Sequence, residues 1–279
     1  MKDQASELRD QVHLARIITT VSGKGGVGKS LMTLNLAVAL SNMGKRVLVF
    51  DMDVGFANLN ILGGIESRKT LKDFFGGLKL KDIIEKTKYG FWLLNSGNSA
   101  NDFYAFQFGE RERLFSEFYE FVSDVDYILF DTGAGYSKLL DDVYTASDDF
   151  ILVITPEPTA IMDGYTFVKL LSMKKPDGRF FLVVNMVNDL SEGRNIIERF
   201  EDVAQRFSSL RFEKGFSILN DLQVKRSVRE QTPFVISYKN IQPSLAILGL
   251  SSFINGKVDQ VSDRRTFVDR IKSIFGLRR

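Results

Sequence analysis

At 279 residues with 44% hydrophobic content, the chain is long enough to bury one large core or two small ones. Its 37 Lys/Arg against 35 Asp/Glu leave a net charge of +2, so no basic field marks nucleic acid as the default partner. With no cysteine and one histidine, His13, the composition argues against disulfides, thiolate catalysis, iron–sulfur or cysteine–zinc ligation, multi-histidine metal sites and a Ser-His catalytic system.

In chain order, the start "MKDQASELRDQ" is polar and lacks the apolar centre of a signal peptide. Strands are expected at 16–21, 46–51, 90–95, 126–131, 149–155 and 179–187, with a further one at 215–219. Amphipathic helices are expected at about 30–43, 101–123, 137–146, 159–174, 191–208, 221–230 and 241–254. This βαβ rhythm, with near-continuous apolar strands, implies a doubly wound, mainly parallel sheet covered on both faces. One such domain is expected over 16–256, with extensions at 1–15 and 257–279. The apolar runs "FLVVNMV" and "SLAILGL" are too short to cross a bilayer, which needs about 20 residues. The expectation is a soluble, cytoplasmic protein. Its 24 phenylalanines are accounted for mostly by core packing.

Gly23-Lys24-Gly25-Gly26-Val27-Gly28-Lys29-Ser30 fits the phosphate-binding pattern G-x-x-x-x-G-K-[ST] between an expected strand and helix. Glycines let successive backbone N–H groups curl toward phosphate oxygens, and the helix N-terminus adds positive potential. Lys29 is placed to reach the β- and γ-phosphates and Ser30 to ligate Mg²⁺; these residues and Leu31 form the expected ATP-binding stretch. Three acids close expected central strands, where ligands of open α/β sheets collect. Asp131 is placed to hold Mg²⁺ through water, Asp51 to support the metal shell and Asp53 to orient an attacking water. No Asn-Lys-x-Asp guanine signature occurs, which favours ATP over GTP.

Lys24 is not required for cradling phosphate within one chain. The stretch "KGGVGKS" resembles the deviant Walker A motif of the MinD/ParA family. That resemblance implies that Lys24 crosses an ATP-dependent homodimer interface to the partner's nucleotide, making hydrolysis conditional on dimerisation. The segments "DMDVGFANLNILGG" (51–64) and "LFDTGAG" (129–135) look like the family's two switch regions. "VVNMV" (183–187) looks like the strand whose asparagine, Asn185, bonds adenine. Where many relatives read Ile-Pro-x-Asp, this chain has "ILND", with Leu219 in place of proline.

The termini suggest a branch of that family. In "RRTFVDRIKSIFGLRR" (264–279), Phe267, Ile271, Ile274 and Phe275 share one helical face, and basic residues flank it. By pattern alone the face fits either an anionic membrane interface or docking on the core. The resemblance to tails of MinD-like proteins favours the inner face of the cytoplasmic membrane. At the other end, "DQASELR" resembles the activator segment of the FlhG family, MinD-like ATPases that set flagellar placement and number. It implies that Asp3, Gln4, Ala5, Leu8 and Arg9 stimulate an FlhF-like GTPase of the signal-recognition-particle type. Flagellar C-ring proteins or a flagellar transcription regulator are further partners the resemblance suggests, with no specific nucleic acid. A MinD-type division-site regulator and a ParA-type DNA-partition ATPase are the alternatives.

Overall fold

The computed structural model describes residues 14–53, 59–97, 110–256 and 264–277. The first strand, β1 (Arg16–Val21), feeds the glycine loop and α1 (Lys29–Asn42); β2 (Val47–Met52) follows. Three short helices come next, α2 (Leu59–Gly63), α3 (Leu71–Phe75) and α4 (Leu80–Ile83), then β3 (Glu85–Lys86) and β4 (Trp92–Asn95). The chain continues through α5 (Arg111–Val122), β5 (Tyr127–Thr132), α6 (Asp141–Ala146), β6 (Asp149–Ile154) and α7 (Pro158–Ser172). β7 (Arg179–Val187), α8 (Leu190–Phe207) and β8 (Phe212–Leu219) complete the sheet. Four helices end the chain: α9 (Leu222–Arg229), α10 (Phe234–Ser237), α11 (Gln242–Gly256) and α12 (Arg264–Ile274).

The eight strands lie in the order β3-β4-β2-β5-β1-β6-β7-β8, parallel except for the two-residue edge strand β3. Successive residues alternate between two cores: Ile17, Leu48, Phe50, Ile128 and Phe130 face one, and Ile18, Val47, Val49 and Leu129 the other. Helices α5 to α8 and α12 cover the first face, α1, α10 and α11 the second. This doubly wound arrangement puts the C-terminal ends of β1, β2 and β5 side by side, where the acidic strand ends meet the glycine loop. At the opposite end of the sheet, fully buried Asp149 is held between Arg16 at 2.6 Å and Arg179 at 2.8 Å. That pairing satisfies a carboxylate too costly to bury alone.

Several expected boundaries move. The helix expected over 101–123 is described as Arg111–Val122; residues 101–109 lie outside the described residues. β8 starts at Phe212, three residues before the expected 215. Its edge is capped by Gln242, whose amide donates to the Ser217 carbonyl at 2.8 Å and accepts from the Leu219 N–H at 2.9 Å. The sequence pattern does not show the short elements α2, α3, α4, α10 and β3, because five residues or fewer carry too little periodicity to register.

The C-terminal helix is docked on the core in this structure. Phe267, Ile271, Ile274 and Phe275, expected to enter a membrane, are only 2%, 0%, 5% and 3% exposed. They pack into the core between α5 and α6, with Phe275 edge-on to Phe118 at 5.1 Å. Arg270 reinforces the seat by donating to the Ala146 carbonyl and pairing with Asp148 at 2.8 Å. Between a basic amphipathic helix and an apolar groove of its own fold, the same driving force operates as at a lipid surface. In this conformation the groove has taken the face. Among the described residues no helix is long and apolar enough to cross a membrane. The expected GTPase-activating residues Asp3, Gln4, Ala5, Leu8 and Arg9 lie outside the described residues.

Candidate nucleotide site

The loop between β1 and α1 cannot carry side chains at its turning points. Gly26 and Gly28 have φ of 78° and 93°, in the left-handed region that favours glycine. A Cβ on Gly28 would also stand 2.4 Å from the Asn185 amide nitrogen, and one on Gly23 only 2.2 Å from the Asp163 backbone. The loop is therefore clamped between β7 and α7. It frames a cavity of about 880 Å³ that also meets Asp53, Ile61, Gly133, Ala134 and Leu139. That volume lies within the 300–1,000 Å³ range of small-molecule sites.

The structure brings the expected phosphate and acid residues together. Lys24 to Leu31 line the cavity, and buried Lys29 sits 3.6 Å from Asp131 and 3.9 Å from Asp53. Parallel pairing of β2 with β5 sets Asp51 directly beside Asp131. Asp131 accepts a hydrogen bond from Thr33 at 3.1 Å through one oxygen, while its other, buried oxygen has no hydrogen-bond partner. Asp51 accepts from the Asp53 N–H at 3.1 Å. Burial, reinforced by the Asp131 charge, pushes Asp51 up to about 8. Burial likewise raises Asp53, opposed by Lys29.

An unsatisfied buried carboxylate oxygen beside an all-oxygen donor set fits a hard cation such as Mg²⁺. Among the described residues no group of three or more His, Cys, Asp or Glu is arranged to hold a metal alone. The ion would be held by nucleotide phosphates and the Ser30 hydroxyl, with Asp131 and Asp51 behind it. Asn185, expected to bond adenine, reaches the glycine loop. Its amide donates to the Val27 carbonyl at 2.8 Å, so here it braces the loop from behind.

Lys24 points along the cavity rim. Its ammonium lies 2.7 Å from Glu157 and 2.9 Å from the Thr159 hydroxyl, which flank Pro158 at the start of α7. Sequence reading missed Glu157, Thr159 and Thr33. Thr33 had a local signal, one helical turn after Lys29; Glu157 and Thr159 had none beyond lying just past a strand end. The lining also exposes apolar groups to solvent: Ile61 and Leu139 are 55% and 53% exposed.

Comparison with known proteins follows the same lines. Residues 18–255 match the model of the CobQ/CobB/MinD/ParA nucleotide binding domain. The flagellum site-determining protein YlxH of Helicobacter pylori is 36% identical over 246 residues, covering 83% of each chain. The antiactivator FleN of Pseudomonas aeruginosa is 28% identical over 245 residues, 88% of each. Among solved structures, the septum site-determining protein MinD of Pyrococcus horikoshii, complexed with Mg-ADP, superposes with a TM-score of 0.67 at 26% identity, covering 87% of this chain and 96% of that one.

Proposed function

Since the chain belongs to the CobQ/CobB/MinD/ParA family of nucleotide-binding domains, and is a P-loop ATPase of its regulatory MinD/ParA kind, we propose that it is a dimerisation switch governing flagellar placement and number. Mg-ATP binding drives two copies face to face, and hydrolysis separates them. The observation that carries this reading is the cavity lining, where Lys24 stands with exposed Ile61 and Leu139. Exposed apolar side chains beside a phosphate site are suited to burial against a second copy. Lys24 is held at its rim by an exposed ion pair, which costs only ~0.2–1 kcal/mol to give up. Mg²⁺, when bound with ATP, supplies charge neutralisation of the phosphates; Lys29 holds the β- and γ-oxygens, and Asp53 orients the attacking water.

The flagellar assignment draws on the likeness to YlxH and FleN and on "DQASELR", with Asp3, Gln4, Ala5, Leu8 and Arg9 as the segment that stimulates an FlhF-like GTPase. Membrane association through Phe267, Ile271, Ile274 and Phe275 requires the C-terminal helix to leave its seat, so the cycle couples ATP dimerisation to undocking. Two tails on one dimer bind a surface far better than one through effective concentration. Vesicle sedimentation and light scattering with ADP and with ATP test the cycle. The expected result is a dimer that sediments with anionic vesicles only with ATP. Dimer content and sedimentation that ignore nucleotide would refute it. Deletion of the gene should alter flagellar number or position; misplaced septa with unchanged flagella would move the assignment to a division-site regulator.

A further inference from the structure

We infer that Tyr136 is a positioning residue that ties the phosphate-facing loop to the seat of the C-terminal helix, acting through α6. The inference rests on the ATP-driven switch proposed above and names the residues that carry its signal.

The loop after β5 has two sides. Gly133, Ala134 and Ser137 line the nucleotide cavity, and the Gly135 N–H donates to the Ser22 carbonyl at 2.8 Å, at the entry to the glycine loop. Tyr136, between them, turns the other way. Its ring lies 5.5 Å from that of Tyr144 and 6.0 Å from that of Phe167, and its hydroxyl donates to the carboxylate of Asp141. Asp141 is the first residue of α6 and pairs with Lys174 at 2.5 Å, just beyond the end of α7.

The next residue of α6 belongs to the other partner. Asp142 accepts from the Ser273 hydroxyl of α12 at 3.4 Å, and at the far end of α6 the Ala146 carbonyl accepts from Arg270. Between these polar grips, buried Val143, Tyr144 and Ala146 share one apolar core with Phe267, Ile271 and Ile274. Adjacent carboxylates, Asp141 and Asp142, thus face the nucleotide loop and the tail respectively. A helix of six residues has no stability of its own in water. Its position is set by what grips it. A loop that closes on a terminal phosphate pulls on Tyr136, and α6 passes the displacement to the seat of α12. Two sites that bias one shared element are coupled by thermodynamic necessity.

Hydrogen exchange of residues 264–277 in the full chain, with Mg-ADP and with Mg and a non-hydrolysable ATP analogue, reads tail docking without any membrane. Wild type should exchange faster with the ATP analogue by about fivefold or more, the lower bound of ordinary allosteric coupling. Tyr136→Phe keeps the ring and deletes the hydroxyl. It should bring that ratio close to one while nucleotide affinity and Tm stay near wild type. Asp141→Asn weakens the same contact from α6 and should also compress the ratio, which covers the case of a poorly folded Tyr136 variant. A ratio unchanged from wild type in both variants overturns the inference. A wild-type ratio of one overturns the switch reading itself, and the inference with it.

Discussion

The ammonium of Lys24 lies 2.7 Å from the carboxylate of Glu157 in the same chain, with side chains 38% and 65% exposed. A pair this open is worth ~0.2–1 kcal/mol, so it parks the lysine without locking it. Glu157→Gln should therefore shift the ATP-dependent dimer population by less than about fivefold, the equivalent of 1 kcal/mol. Lys24→Ala should abolish most dimer and most hydrolysis while monomer nucleotide affinity stays within a few-fold. Light scattering and a phosphate-release assay check both; a Lys24→Ala protein that dimerises normally removes the trans role.

Lys29 and Asp53 occupy the same cavity 3.9 Å apart but should fail differently. Lys29→Ala removes the buried cation beside Asp131 and Asp53 and should end ATP binding. Asp53→Ala removes only the group placed to orient water. It should bind ATP, hydrolyse it at least 10²-fold more slowly, in line with general acid–base contributions, and accumulate dimer. Equilibrium dialysis and single-turnover hydrolysis separate the two outcomes.

Gly28 combines a φ of 93° with a 2.4 Å approach to the Asn185 amide. Gly28→Ala should cost about 1–3 kcal/mol of stability through backbone strain and also misplace the loop. Gly77, with a φ of 108° but open space around it, serves as the comparison. Gly77→Ala should lower Tm and leave ATP affinity unchanged, whereas Gly28→Ala should lower both.

Asp51 is raised from 3.8 to about 8, so the folded state holds its proton more tightly than the unfolded chain. Its contribution to stability is complete below about pH 4 and is lost as pH climbs through about 8. The nucleotide-free protein should lose Tm over that window, and Asp51→Asn should flatten the loss. Adding Mg-ATP should oppose it, because a cation beside Asp131 favours the ionised carboxylate, and should release protons on binding. Calorimetry in buffers of different ionisation enthalpy measures that release; none at pH 7 would show that Asp51 is already ionised.

By itself the sequence determined the glycine loop, the strands and the strand-end acids. Each is a local pattern: glycine spacing that demands left-handed turns, apolar runs that fit a doubly covered sheet, and carboxylates at the last strand positions. Tertiary structure alone decided which of these groups meet. The Asp51–Asp131 neighbourhood comes from parallel pairing of two strands far apart in sequence, and the Lys24–Glu157 pair from the neighbourhood of β1 and β6. Nor was the fate of the C-terminal helix legible. An apolar stripe of Phe267, Ile271, Ile274 and Phe275 satisfies a lipid interface and a protein groove by the same loss of water contact. Only the presence of Phe118, Val143 and Tyr144, drawn from two distant helices into one groove, decided that it is docked here.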